Sequence, residues 1–208
     1  MNEVLDMIGK ISVNTQSSIR IDAGKIIYFD PFRIEKASHD ADIIFFTHDH
    51  YDHFSPEDYL KVIKESTVFV CPECINSDDA VYMRAGERKN IDGIEIEAVP
   101  AYNKLKPFHP KKNGYLGYIV TIDGIRIYVC GDTDNVPELE NISCDIMLVP
   151  IGGTYTMDAK QAASLVNTIS PKIVVPTHYG SIVGKKDDAD KFTGLVSPDI
   201  KVVLKLEL

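Results

Sequence analysis

Three short apolar runs, far apart in the chain, each stop abruptly at residues that bind metal ions. Asp42-Ile-Ile-Phe-Phe-Thr-His48 opens into Thr47-His48-Asp49-His50-Tyr51-Asp52-His53. Ile127-Tyr-Val-Cys-Gly-Asp132 ends at a carboxylate, and Ile173-Val-Val-Pro-Thr-His178 at a histidine. A short apolar run bounded by polar residues reads as a strand buried on both faces. Such strands need a covered sheet, so the chain must build layers of helix and sheet.

Further strands are expected at Ser18–Ile21, Lys25–Asp30, Thr67–Cys71, Ile94–Pro100, Gly117–Ile122, Ile125–Cys130, Asp145–Pro150, Lys172–Pro176 and Lys201–Leu206, with a hairpin turn at Asp123-Gly124. A helix should start at Ser55-Pro56, with Ser55 as N-cap, and run to about Lys64. A second should run from Asp158, in a capping box with Gln161, to about Thr168, and a third over Asp187–Leu195. Linkers, repeats and low-complexity tracts are absent, so the reading is one domain over 1–208. Its class is α+β: a four-layer αββα sandwich, helices outside two mostly β sheets.

The chain has 22 Lys+Arg against 31 Asp+Glu, a formal net charge of −9. That balance argues against broad nucleic-acid binding and against anionic membranes, and leaves a small-molecule substrate as the expected partner. A transmembrane stretch and an export signal are both missing, which points to the cytoplasm. Cys71-Pro-Glu-Cys74 has no second ligand pair nearby and reads as two reduced thiols at a strand end.

The His48-x-His50-x-Asp52-His53 cluster is dense in metal ligands. On an extended strand end, His48 and His50 project to one side and can share an ion, while Asp52 and His53 follow in the turn and can reach a second. Imidazole and carboxylate suit zinc, manganese or iron.

The cluster, with Gly131-Asp132 and Pro176-Thr-His178, resembles the metallo-β-lactamase superfamily of metal-dependent hydrolases. Phe29-Asp-Pro31, Ala101-Tyr-Asn103, Gly131-Asp-Thr-Asp134, Pro150-Ile-Gly-Gly153 and Pro176-Thr-His-Tyr-Gly180 resemble its ascorbate-6-phosphate lactonase-like subgroup. The resemblance implies two divalent ions: His48 and His50 on the first, Asp52, His53 and His178 on the second, and Asp132 bridging both. The third histidine of the first ion is missing from its usual place, where Asn103 stands. His109 is the nearest replacement; otherwise the first ion lacks a protein nitrogen. Gln16, where relatives often show histidine, would touch the rim of the site.

The function implied is hydrolysis of an ester- or lactone-type bond by a metal-bridged hydroxide, with Asp52 and Asp132 at the centre of the catalysis. Lys104 and Lys106, with Lys111 and Lys112 beyond, are candidates to clamp an anionic, phosphorylated substrate. Asn103, Tyr155 and Tyr179 are candidates to contact it. Phosphodiester hydrolysis is the alternative, and a non-catalytic metal-binding protein with a degenerate first site is another. One position stays open: Asp30 is either an acceptor orienting a ligand histidine or a turn carboxylate. His39 reads as a surface histidine.

Overall fold

The computed structural model describes residues 2–77 and 79–206. The chain begins with helix α1 (Asn2–Gly9), then strands β1 (Ile11–Val13), β2 (Ile19–Ala23), β3 (Lys25–Phe29) and β4 (Ile43–Phe45). Helix α2 (Pro56–Val62) leads to β5 (Val68–Cys71) and β6 (Val81–Tyr82). Then come β7 (Arg88–Ile91), β8 (Ile94–Pro100), β9 (Leu116–Ile122), β10 (Ile125–Val129) and β11 (Ile146–Pro150). Helix α3 (Ala159–Ile169), β12 (Ile173–Thr177), helix α4 (Asp188–Leu195) and β13 (Lys201–Val202) complete it.

Two sheets result. The first has the order β1-β2-β3-β4-β5-β6 and the second β13-β12-β11-β10-β9-β8-β7. In each, antiparallel neighbours give way to parallel ones: β3 pairs parallel with β4, and β10 with β11.

Period-two alternation sorts the side chains into layers. Ile27 and Phe29 of β3 and Ile43 and Phe45 of β4 face the layer between the sheets, where they meet Tyr118, Ile127 and Leu148 of the second sheet. The intervening Tyr28 and Ile44 face outward, onto a cluster with Val62 of α2. Met147, Val149 and Val174 face the other way, against Leu165 and Val166 of α3 and Phe192 of α4. This is the expected αββα order of layers.

Gly117 allows the closest approach in the second sheet. A Cβ there would lie 2.5 Å from the Cys130 carbonyl oxygen and 2.8 Å from that of Val129. Main-chain atoms cannot yield as a flexible side chain can, so the position admits glycine alone.

Most expected strands form within a residue or two, and α3 carries its capping box: Asp158 accepts from Gln161 N, and the Gln161 side chain accepts from Asp158 N. Four details differ. Strand β4 ends at Phe45, so His48 and His50 lie in the loop beyond it and not on an extended strand end. Helix α2 stops at Val62, because Ile63 is already extended. Ser55 precedes Pro56 as expected but makes no side-chain cap; its hydroxyl donates to Asp58 Oδ2 at 2.7 Å. The last expected strand shrinks to Lys201–Val202, with Leu206 bridging separately to Val13.

Four elements were not anticipated. Helix α1 buries Val4, Met7 and Ile8 at helical spacing in the inter-sheet layer. Strands β1, β6 and β7 are short edge or near-edge pieces, and β7 is largely exposed.

Asp58 ties α2 to the loop between β3 and β4. Its carboxylate accepts from Ile34 N at 2.8 Å, from Ser55 Oγ at 2.7 Å and from Lys61 Nζ at 3.3 Å. Burial pushes its carboxyl up, but the Ser55 and Ile34 hydrogen bonds outweigh that and hold it below the ordinary 3.8. We expect Asp58→Ala to cost about 1–3 kcal/mol at pH 7. A depressed carboxyl stabilises the fold above its unfolded pKa and loses that contribution as pH falls through its folded value. The gap between wild type and variant in denaturant unfolding should therefore be full at pH 7 and close as pH drops below about 3.8.

Candidate metal centre

The centre is assembled from residues just beyond strand ends and in the loops between them. The organising group is Asp30, fully buried immediately after β3. Its Oδ1 accepts from Thr47 N at 2.8 Å and its Oδ2 from Thr47 Oγ1 at 2.7 Å. The same Oδ2 lies 2.7 Å from His53 Nδ1. Asp30 is thus the orienting acceptor, which decides between its two sequence readings.

These bonds set ring protonation. With Asp30 as acceptor, His53 carries its proton on Nδ1 and turns Nε2 inward. Because the Thr47 hydroxyl donates to Asp30, it accepts from His48 Nδ1 at 2.9 Å, and His48 Nε2 also faces inward. His109 Nδ1 lies 3.2 Å from the Tyr155 carbonyl oxygen, which can only accept, so its Nε2 faces inward as well.

The inward atoms fall into overlapping groups. His48 Nε2, His50 Nδ1 and His109 Nε2 are separated by 3.1, 3.0 and 3.3 Å. An ion bound tetrahedrally at about 2.0–2.1 Å holds its nitrogen ligands about 3.3–3.4 Å apart. On the other side, His53 Nε2 and His178 Nε2 are 3.4 Å apart, and Asp52 Oδ2 lies 3.8 Å from the first and 3.6 Å from the second. Asp132 stands between. Its Oδ2 is 3.4 Å from His109 Nε2 and 3.3 Å from His178 Nε2, and its Oδ1 is 3.4 Å from His53 Nε2. Three groups could each hold a metal ion: His48, His50 and His109; His48, His53 and Asp132; Asp52, His53 and His178.

The donor set fits a cation on its own evidence. Bare ring nitrogens face one another at hydrogen-bond distance with no proton between them, and buried Asp132 Oδ1 has no hydrogen-bond partner. An orphaned carboxylate oxygen is costly unless a positive charge compensates it. Electrostatics agree. Burial and the surrounding imidazoles push His48 well below its ordinary 6.5, and burial takes His109 down to about 4 despite Asp132. Both rings are neutral at neutral pH. Burial also opposes charge on His53, but Asp132, Asp30 and Asp52 override it and raise that ring to about 10. The carboxylates demand positive charge there, whether a proton or a metal ion.

Among the described residues, nine non-glycine residues have left-handed backbone, and five of them are exposed. The four buried ones are Gln16, Asp30, His109 and His178, all at this centre. Such conformations cost of order 1–3 kcal/mol each and persist only where the surroundings impose them. Asp30 N donates to Phe45 O, and His178 N to Gln16 O at 3.0 Å. Gly152 lies against the His178 carbonyl, which a Cβ would approach to 2.1 Å.

The remaining candidates divide. Asn103 directs its donors into the loop: its Nδ2 donates to the Tyr155 carbonyl at 2.7 Å and the Phe108 carbonyl at 2.9 Å, and its N to His109 O at 2.8 Å. It closes the loop that delivers His109. Lys106 is paired with Asp134 and donates to Thr156 O at 2.6 Å, and Lys111 is paired with Glu138 at 2.7 Å. Lys104 is exposed and lines no part of the cavity over the centre. The expected lysine clamp is therefore not assembled. Tyr155 lines the cavity, whereas Tyr179 is buried in the layer beneath α3 and α4. Gln16 lies beneath His178, its Nε2 3.4–3.5 Å from the ring nitrogens, and not at the rim. His39 is exposed, as expected. Sequence reading missed Thr47, whose only signal is its place just before the first histidine.

The chain matches the model of the β-lactamase superfamily domain over residues 10–178. It is 30% identical to a UPF0173 metal-dependent hydrolase of Pyrococcus abyssi, across 94% of this chain and 95% of that protein. A UPF0173 metal-dependent hydrolase of Staphylothermus marinus is 34% identical over 79% of this chain and 75% of its own. Among solved structures, Igni18, a metallo hydrolase from Ignicoccus hospitalis, superposes with a TM-score of 0.76 at 24% identity, covering 93% of each chain. That last likeness speaks for the fold alone.

Asp30→Asn should keep an acceptor for Thr47 N but lose the pull on His53 Nδ1–H. We expect metal affinity to fall about 10–100-fold, as for other partners of ligand histidines. Competition against a chromophoric chelator measures it; unchanged affinity would remove Asp30 from the centre's design.

Proposed function

The chain belongs to the metallo-β-lactamase superfamily, as a metal-dependent hydrolase of the UPF0173 family, and from that premise we propose hydrolysis of an ester- or lactone-type bond at a site holding two divalent ions. The carrying observation is Asp132, whose one carboxylate reaches the inward nitrogens of His109, His53 and His178. In this reading His48, His50 and His109 hold one ion, Asp52, His53 and His178 the other, and Asp132 both. Nitrogen and carboxylate donors suit zinc, with manganese or iron as alternatives. When bound, the ions supply hydroxide near neutral pH and polarise the oxygen under attack.

The protein's own groups do the rest. Asp30 and Thr47 hold the rings of His53 and His48 in the ligating tautomer. Asn103 keeps the loop of His109 closed. Tyr155, in the cavity wall, is placed to donate to an oxygen that gains charge during the reaction. The motifs around Asp30, Asp132 and His178 favour a lactone, through their resemblance to the ascorbate-6-phosphate lactonase-like subgroup. One hydrolase domain spanning 1–208 is part of the proposal. The mild support that the lysine cluster lends phosphodiester hydrolysis weakens with the pairing of Lys106 to Asp134. A degenerate first site loses its support with the arrival of His109 beside His48 and His50.

Elemental analysis of protein purified without chelator or histidine tag tests the assignment. Wild type should carry close to two ions per chain. His109→Ala should fall toward one, and Asp132→Ala should lose hydrolysis of an ester and lactone panel by more than about a hundredfold. A wild-type value near one, unchanged in His109→Ala, would overturn the binuclear reading.

A further inference from the structure

The cavity over the centre has a volume of about 250 Å³. Its floor is His50, Asp52, His109, Asp132 and His178 of the proposed ligand set. Its walls are Tyr51, Phe108, Tyr155 and Ile182. Among the described residues, no lysine or arginine lines it, and its acidic residues are Asp52 and Asp132 of the floor.

The wall residues sit where folding alone would not place them. Tyr51 is 66% exposed and Phe108 44% exposed. Leu105, on the same loop as Phe108, is 97% exposed. Exposed apolar groups gathered at the mouth of a cavity mark a binding surface, whereas scattered ones mean nothing. The aromatic walls are also held in place. Phe108 meets Tyr155 edge to face with ring centres 4.7 Å apart, and Tyr51 meets Phe32 in the same way at 6.0 Å. Of the loop's two lysines, Lys106 is engaged by Asp134 and Thr156 O, and Lys104 stands outside the cavity lining.

We propose that the site takes a small uncharged substrate whose non-reacting part is aromatic or branched alkyl, packed between Tyr51, Phe108, Tyr155 and Ile182 with its carbonyl over the ligand set. The proposal rests on the hydrolytic reading of the same site and names its substrate class. Size agrees: a cavity of about 150 Å³ suffices for benzene, so the space holds one ring and a reacting acyl group. A charged tail on the substrate would be stripped of water against apolar walls that offer it no partner.

The test compares matched probes on the metal-containing protein. Acetophenone and 4-acetylbenzoate differ by one carboxylate, and neither is hydrolysed. Ligand-observed NMR titration should give a dissociation constant about tenfold lower for acetophenone. Phe108→Ala and Ile182→Ala should each weaken acetophenone severalfold while leaving the thermal midpoint within a few degrees of wild type. Equal or tighter binding of 4-acetylbenzoate would overturn the proposal, as would an acetophenone affinity that neither variant changes. Turnover of phenyl acetate against 4-acetoxybenzoate separates the two levels. Hydrolysis of the charged ester in preference to the neutral one overturns the substrate class alone. No turnover of either, with the binding preference intact, overturns the assigned bond and leaves the apolar cavity standing.

Discussion

Everything at the centre depends on one buried carboxylate that faces none of its inward atoms. Asp30 accepts from Thr47 N, from the Thr47 hydroxyl and from His53 Nδ1. Through the hydroxyl it also governs His48, two bonds away. One anion therefore sets the tautomer of a histidine on each side of the centre. Without that pull either ring could turn its proton inward, and a donor would replace an acceptor. Desolvating Asp30 is expensive and leaves its carboxyl above the ordinary 3.8, although the charge of His53 and the three hydrogen bonds pull it back.

The architecture brings the parts together through repetition. Each sheet changes from antiparallel to parallel pairing, and the chemistry follows strands at or next to those junctions. Asp30 comes after β3 and the histidine cluster after β4; Asp132 comes after β10 and His178 after β12. Carboxyl ends of parallel strands are where open sheets place their sites. Here two sheets supply such ends to one centre, and the apolar layer between them keeps both in register.

Legibility in the sequence followed the range of the interaction. Apolar runs ending in His48, Asp132 and His178 could be read because strand periodicity is local, and the Asp158–Gln161 cap because it spans one turn. Helix α1 carried a readable signal in Val4, Met7 and Ile8 that was missed. Strands β6 and β7 carried almost none, since a short, exposed edge strand has no apolar alternation. Where Asn103 and His109 stand depends on a loop closure onto the Tyr155 carbonyl, 52 residues away from Asn103. The fate of Lys106 was decided by Asp134. Spacing along the chain encodes neither partner.

The buried left-handed residues have a wider consequence. Glycine would adopt those dihedrals freely, yet the chain carries Gln16, Asp30, His109 and His178 there. At surface turns the same conformation is tolerated by Asp92, Asp123 and Ser170, where solvent fills any gap. In the interior it survives only where side-chain chemistry is worth more than relaxed geometry. A trace of this backbone stripped of every side chain, with burial marked on it, would already locate the centre. Its position is written into the main chain as well as into the histidines.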